Sequence, residues 1–343
     1  MLVVSMSVAS TLDDLATQVD AEIRKSLSSR QLELYRMMSY HLGWEDKPGG
    51  EEGPVRRDRN HGAACLIACS AAGGDPDSGL PAAASVELLE SFSQIHDDVQ
   101  AGQPQRYDRD AVWWVWGPAQ AINVGDAMHA VARLAVFAFA ERGNTPEATF
   151  RAVQIVDNAV LEMCEGRFKD LESQERIDLD VDGYLEMATG KTGALYACAM
   201  QLGALAASAD DETIEAMGTS GRALGLSLQI RRDLMELWGV EGEATPVGAE
   251  VLNKKKLFPV VYSLSKASLS EKRRLGDIYF KRVLDTEDVV KVRDILEELG
   301  AKERAEELIA QYRAEAAAAL EIPGVDAAGR IAMDDLAGYL LGE

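Results

Sequence analysis

Apolar residues recur at three- and four-residue spacing along almost the whole chain, and nowhere does the sequence alternate apolar and polar as a half-buried strand would. Side chains three and four apart share one face of a helix, so this periodicity points to α-helix throughout. The intervening Ala, Leu, Glu and Arg residues favour helix in their own right. The spacing predicts helices over roughly 10–40, 62–72, 81–101, 112–141, 147–168, 181–208, 211–238, 249–266, 270–283, 287–298, 301–319 and 327–341. Turn signals separate them at Pro48-Gly49-Gly50, Gly73-Gly74-Asp75-Pro76, Gly143-Asn144-Thr145-Pro146, Gly239 to Pro246, and Pro323-Gly324. Thr145 before Pro146 has the form of an N-cap with proline at the first helical position.

The stretches 112–141 and 181–208 are apolar around most of their circumference, which places them at the centre of a large bundle. No segment has a linker composition and no internal repeat is present, so one all-α domain over residues 1–343 is expected. Within it, Glu45 to Asn60 (EDKPGGEEGPVRRDRN) is the one stretch of low hydrophobicity and reads as a mobile loop. An apolar share of 47% is enough for a sizeable core.

With 35 basic and 57 acidic residues the formal charge is −22, a field that repels nucleic acid backbones and anionic membrane surfaces. Neither is expected as a partner. Cys65, Cys69, Cys164 and Cys198 form no CxxC pair, and Cys65 and Cys69 read as small core residues of a reducing compartment. The N-terminus MLVVSMSVASTL lacks the basic start of a secretory signal, and no apolar run approaches the roughly 18 residues of a membrane span. A cytoplasmic protein without a span is the expectation.

Three segments carry polar residues where an apolar helix needs a reason for them. In SFSQIHDDVQAGQPQR, Asp97 and Asp98 end a helix whose preceding face is apolar. Adjacent carboxylates raise each other's pKa unless a cation is shared between them, and Mg²⁺ takes such oxygen ligands while keeping waters and substrate phosphates. In LGLSLQIRRDLMELWG, Asp233 and Glu236 lie three apart on one helix face. In GYLEMATGKTGAL, Gly190 interrupts an apolar helix at a cost of about 1 kcal/mol relative to alanine, beside a Lys191-Thr192 pair able to donate to phosphate oxygens. No upstream strand or correctly spaced glycine makes this a P-loop.

Taken in order, the chain resembles the trans-prenyl diphosphate synthase family over nearly its whole length. CLIACSAAGGDP follows an arginine-rich entry segment; IHDDVQ matches the first aspartate-rich motif and AVWWVWGPAQAINVGDAMHA the helix after it. YLEMATGKTGAL matches the lysine-threonine motif, LGLSLQIRRDLMELWG the second aspartate-rich region, and KKKLFPVVYSL the lysine-rich segment before a proline. The resemblance implies an isoprenoid-synthase helical bundle around a deep apolar cavity with the aspartate motifs at its mouth. It also implies ionisation of an allylic prenyl diphosphate under Mg²⁺, the cation then being trapped by isopentenyl diphosphate. Metal ions would neutralise the leaving diphosphate and a dry tube would protect the cation.

The departures from the family pattern are informative. At the positions the family uses for isopentenyl diphosphate, lysine matches Asp58, arginine matches His61, the helix histidine matches Glu90, and the second of two arginines matches Tyr107. Two acids in such a site oppose charge-assisted bonds to a pyrophosphate. On the allylic side Asp97 and Asp98 stand, with Ala101 at the third aspartate, and Arg106, Lys191, Thr192 and Gln229 remain. In the second region Arg232 replaces the leading aspartate, Asp233 is kept, and Glu236 takes the third place. A Gly-Lys pair matches Ala244-Thr245, while Lys255-Lys256 persists. Arg232 either contacts a phosphate directly or fills a metal site with its own charge.

The resemblance therefore implies Asp97, Asp98 and Asp233 as catalytic residues, and Asp97, Asp98, Asp233 and Glu236 as metal ligands. It implies Arg106, Lys191, Thr192, Gln229, Arg232 and Lys255 as diphosphate contacts. Three functions remain open: an enzyme using one allylic diphosphate, as a class I terpene cyclase or a prenyltransferase with another acceptor; an impaired partner subunit of a heteromeric synthase; or a slow elongating synthase. A homodimer, or a heterodimer with a functional synthase, is expected through 112–141, where Trp113, Trp114 and Trp116 supply contact area or core. Phe92, upstream of Asp97, reads either as core or as a side chain shortening the prenyl tube.

Overall fold

The computed structural model describes residues 8–174, 176, 178–239, 248–279 and 281–343, and helix dominates among them. In chain order the first elements are α1 (Val8–Leu27), α2 (Glu33–His41), α3 (Asn60–Ala71), α4 (Pro76–Ala101), the hairpin β1 (Gln105–Arg106) and β2 (Arg109–Asp110), α5 (Val112–Trp116) and α6 (Pro118–Phe137). Then follow α7 (Pro146–Ser173), α8 (Val181–Ala188), α9 (Ala194–Ala206), α10 (Asp211–Trp238) and α11 (Ala249–Leu252). The last are α12 (Phe258–Lys266), α13 (Leu269–Tyr279), α14 (Thr286–Glu298), α15 (Ala301–Ala319) and α16 (Ala327–Leu341).

The expected helices are present, and the places where one divides into two have local causes. The expected helix at 10–40 breaks after Leu27, where the Ser28 hydroxyl takes the Lys25 carbonyl and competes with the helical ladder. The stretch 112–141 breaks at Gly117 (φ 84°), followed by Pro118, which has no N–H to continue a helix. The stretch 249–266 is interrupted between α11 and α12, where Lys254 takes a left-handed conformation at φ 59°. Helix α4 begins at Pro76 rather than 81, because Asp75 accepts the Asp77 N–H as N-cap and Pro76 sits at the first helical position. A two-residue hairpin at 105–110 escaped the sequence pattern because alternation cannot register in strands so short.

Contacts group the chain into two units. In the first (1–158, 198–218 and 320–340), α4 packs extensively against α6 and α3. Ala63, Ala64, Ala68, Ala82, Ala83 and Ala132 are all buried there, and these small side chains let helix backbones approach. At Gly203 a Cβ would lie 2.1 Å from the Cys65 carbonyl oxygen, so only glycine fits. Leu88 and Leu89 are fully buried, and truncating either to alanine costs about 2–5 kcal/mol. Cys65, Cys69 and Cys198 are buried, whereas Cys164 is exposed.

The second unit (159–197, 219–319 and 341–343) centres on a cluster including Leu237, Val251, Val260, Leu275, Val292 and Leu296. Its informative irregularity is Thr189–Gly193, a turn of π-helix between α8 and α9. Gly190 lies where a Cβ would be 2.7 Å from the Glu162 carbonyl oxygen, and a Cβ on Gly166 would meet Lys191 N at 2.3 Å. The two glycines interlock α7 with the π-turn, which is the reason for a glycine inside this apolar run.

One helical stretch, Pro118–Arg142, is long and apolar enough to cross a membrane by length and composition, against the expectation that none would be; 44% of its apolar window is buried inside the fold, and Asp126 interrupts its exposed face.

Candidate active site

Helix α4 delivers Asp97 and Asp98 in its last turns and ends at Gly102 (φ 62°), where the Gln103 N–H returns to the Asp98 carbonyl. Carboxylates at a helix C-terminus meet the negative end of the helix dipole, so the pair calls for a cation. Arg106 supplies it. Its Nε donates to both Asp98 oxygens, at 2.9 and 3.0 Å, and its Nη2 donates to Oδ1 at 2.7 Å. The same Nη2 lies 3.7 Å from Asp97 Oδ2. Asp98 is buried, and although burial works against the guanidinium charge, the bonds to Asp98 raise the Arg106 pKa.

The hairpin that carries Arg106 is anchored by its neighbours. Arg109, paired across from Arg106, donates to the Glu45 carbonyl and the Asp46 carboxylate and lies over the Tyr40 ring. Asp46 also accepts the N–H groups of Lys47, Glu52 and Gly53, which ties down the segment before the entry arginines. Two of the three tryptophans after the hairpin pack inward: Trp113 donates to the Gln103 carbonyl and Trp116 meets Tyr40 edge-on, while Trp114 stays exposed.

The four positions matched to isopentenyl diphosphate ligands all lie in this first unit. Asp58 is exposed and His61 is buried. The Gln94 amide donates at 2.7 Å to Glu90 and at 2.7 Å to the Tyr107 hydroxyl, so these two side chains are linked through it. Arg57 stacks on Tyr107 with its guanidinium carbon 3.9 Å from the ring centre, and its Nε and Nη1 are buried without a hydrogen-bond partner among the described residues. Burial, then repulsion from Arg109, Arg59 and Arg106, pulls its pKa down to about 10. Arg57 was not singled out in the sequence, because its role depends on the ring of Tyr107 fifty positions away (107 − 57). Phe92 is half-buried against the rings of His96 and His129.

In the second unit Lys191, Thr192, Gln229, Asp233, Glu236 and Lys255 fall into two adjoining networks. Thr192 donates to Gln229 Oε1 at 2.6 Å, and Gln229 Nε2 donates to Asp233 Oδ1 at 2.9 Å. Asp233 Oδ2 accepts the Tyr184 hydroxyl at 2.6 Å and the Phe258 N–H at 2.7 Å. Asp233 thus caps the N-terminus of α12 from a neighbouring helix, satisfying a donor that has no partner within α12. Burial pushes its pKa up to about 6 against the pull of these donors.

The second network starts at Asp170, which is buried and accepts Lys191 Nζ at 2.7 Å. Burial disfavours its charge, yet Lys191, Lys255 and Arg167 together hold its pKa below the ordinary value. Lys255 pairs with Glu250 at 2.7 Å, and Glu236 accepts the Glu250 N–H at 2.7 Å. Arg232 is exposed. Tyr184 and Asp170 were missed in the sequence: Tyr184 lies inside the lysine-threonine segment without standing out, and Asp170 lies past the expected end of its helix. Ala244-Thr245 lies outside the described residues.

The two acidic regions differ in their fit to Mg²⁺. Among the described residues no group of three or more His, Cys, Asp and Glu is arranged around a metal position. In the first unit, however, two adjacent carboxylates already share one cation, the guanidinium of Arg106, so Asp97 and Asp98 suit a divalent ion that takes its place. Asp233 suits one less well, since three protein donors already take most of the acceptor capacity of its two oxygens.

Residues 58–299 match the family model described as polyprenyl synthetase. The chain belongs to this family. The family's helical fold is the one described above, and a polyprenyl synthetase from Streptomyces coelicolor A3(2) superposes with a TM-score of 0.88 at 29% identity, covering 97% of this chain and 99% of that one. A geranylgeranyl pyrophosphate synthetase from Pyrococcus horikoshii gives 0.84 at 27% identity, covering 98% of each. In sequence, a geranylgeranyl diphosphate synthase of Mycobacterium tuberculosis is 38% identical over 252 residues, 72% of this chain and 69% of its own length. A (2E,6E)-farnesyl diphosphate synthase of Mycobacterium bovis is 33% identical over 267 residues, 77% of this chain and 69% of its own.

Proposed function

We propose that this polyprenyl synthetase family member is a cytoplasmic enzyme of isoprenoid metabolism that takes one allylic prenyl diphosphate with Mg²⁺ and does not use isopentenyl diphosphate. The prenyl diphosphate synthases among its relatives support the enzyme class. The observation that carries the narrower reading is the Glu90–Gln94–Tyr107 chain. It puts an acid and a phenol, tied together, at positions where the family places donors to a second diphosphate.

On the allylic side the cations remain, each resting on a carboxylate: Arg106 on Asp98, Lys191 on Asp170, Lys255 on Glu250. A diphosphate offers each a stronger partner, and such charge-assisted bonds orient the substrate. Asp97 and Asp98 hold the metal, which when bound neutralises the leaving diphosphate. Thr192, fixed by Gln229, places a hydroxyl beside Lys191. With no second diphosphate bound, the allylic cation left when the C–O bond to diphosphate breaks would close on a double bond of its own chain and end by losing a proton, as in a terpene cyclase, or would be captured by a different acceptor that gives up a proton.

The protein acts as a dimer of single-domain chains in this reading. α6 exposes Ile122, Leu134 and Phe137, apolar contact area suited to a second copy or to a related synthase.

A second reading, a partner subunit without turnover of its own, draws on the saturation of Asp233 and the closure of Asp98 by Arg106. One experiment separates them. The chain is incubated with geranyl, farnesyl and geranylgeranyl diphosphates and Mg²⁺, each with and without isopentenyl diphosphate, and organic products and released diphosphate are analysed. Turnover indifferent to isopentenyl diphosphate supports the first reading. No turnover alone, with stimulation of an added synthase, supports the second, and elongated products overturn both.

A further inference from the structure

Within the second unit, the segment joining α11 to α12 sends consecutive lysines different ways. Lys255 turns to Glu250, whereas Lys256 enters a cavity of about 520 Å³ between α12 and α13. The volume is that of an ordinary small-ligand site. In a chain of charge −22 its lining is out of character: Lys254, Lys256 and Lys272 contribute, and no carboxylate does among the described residues.

Lys256 is only 7% exposed. Its ammonium is met by the main-chain carbonyls of Gln174 and Lys254, at 3.3 and 3.4 Å, and lies 5.0 Å from the centre of the Tyr279 ring. A buried ammonium ordinarily requires an anionic partner or loses its charge. Among the described residues no carboxylate meets it, and burial, then Lys254, lowers the Lys256 pKa. Beside it the Tyr279 hydroxyl is buried with no hydrogen-bond partner among the described residues. Val260, Leu264 and Leu275 add hydrocarbon to the same lining.

We propose that this cavity binds an amphiphilic organic phosphate, its phosphate on Lys256, Lys272 and the Tyr279 hydroxyl and its short apolar chain along Leu264 and Leu275. An ammonium and a phenol donate to one anion without help from a metal. The apolar wall excludes bare phosphate as the preferred ligand, and the lysines exclude a neutral hydrocarbon. The proposal is independent of the reaction assigned above, since Lys256 and Tyr279 belong to neither of the networks described there.

The test uses n-octyl phosphate, which has no allylic bond to ionise, with octanol and inorganic phosphate as controls carrying one feature each. Binding to the full chain is measured by calorimetry, and acetylation of Lys256 and Lys272 by mass spectrometry with and without ligand. Octyl phosphate is expected to bind at least tenfold more tightly than either control and to slow acetylation of both lysines at least fivefold. Lys272→Glu, at an exposed position that leaves the fold intact, is expected to weaken binding at least tenfold, and Tyr279→Phe about threefold. Lys191→Ala is expected to leave binding unchanged. Binding lost in Lys191→Ala but kept in Lys272→Glu overturns the proposal, because the ligand then occupies the prenyl diphosphate site. Absence of binding, or binding without protection of the lysines, overturns it too. Failure of the prenyl diphosphate incubations bears only on the catalytic reading.

Discussion

Arg106 grips both oxygens of the buried Asp98 through Nε, at 2.9 and 3.0 Å, and doubles the bond to Oδ1 through Nη2 at 2.7 Å. A residue assigned to the substrate and a residue assigned to the metal thus neutralise one another. Removing Arg106 leaves a buried carboxylate without its cation, a loss of about 3–5 kcal/mol. Arg106→Ala is expected to lower stability by about that much in urea titrations and to abolish prenyl diphosphate binding. It should also tighten Mg²⁺ binding in the absence of diphosphate, because the competing charge is gone. Unchanged or weaker Mg²⁺ binding in calorimetry would mean that Asp97 and Asp98 are not the metal pair.

Glu87, on α4, is buried and accepts the Gly62 N–H at 2.8 Å at the start of α3. Burial pushes its pKa up to about 7, only partly offset by Arg59 and the Gly62 N–H. A carboxyl raised on folding contributes stability that is fully present below its unfolded pKa of about 4.3 and is lost as pH rises through the folded value. Glu87→Gln, neutral at every pH and still able to accept from Gly62, escapes that loss. Between pH 4.5 and 8.5 the variant should gain on the order of 2–3 kcal/mol relative to wild type. Parallel stability curves for the two proteins would show that Glu87 titrates normally.

Tyr184→Phe removes one of three donors to Asp233. A hydrogen bond to a charged group contributes about 1.5–3 kcal/mol. The raised pKa of about 6 for Asp233 sets the window: the cost should appear in full above pH 7, where the carboxylate is ionised, and shrink near pH 5. Thermal melts of both proteins across that range measure it.

Isopentenyl diphosphate should show no saturable binding to the native chain near neutral pH. Each lost charge-assisted bond is worth about 1.5–3 kcal/mol, so losing several weakens affinity by orders of magnitude even without additivity. Replacing Glu90 by His together with Tyr107 by Arg breaks the Gln94-bridged chain and should make binding saturable in the same calorimetric titration. Tight binding by the native protein would instead point to Arg57 as the substitute cation.

Leu134→Glu with Phe137→Glu replaces two exposed apolar side chains of α6 with charges. Sedimentation at micromolar concentration is expected to show a dimer for the native chain and a monomer for the variant. A native monomer would count heavily against the partner-subunit reading.

The periodicity of the chain by itself determined where helices lie, because burying an amphipathic face is a local demand repeated every turn. Helices α10, α15 and α16 span the residues that spacing predicts. The same holds for family membership, which rests on short segments in a set order. Only the tertiary structure decided what each polar residue does there. The Asp233 carboxylate reads in the sequence as a candidate metal ligand, and only the packed fold shows it accepting the Phe258 N–H and the Tyr184 hydroxyl, both from other helices. Lys255 and Lys256 are adjacent and chemically identical, yet one pairs with Glu250 and the other faces a cavity. Side-chain direction follows backbone dihedrals, and Lys254 at φ 59° turns the chain between them and the end of α11. A sequence records which groups are available for pairing; which donor reaches which acceptor depends on distances of about 3 Å that exist only once the helices have packed.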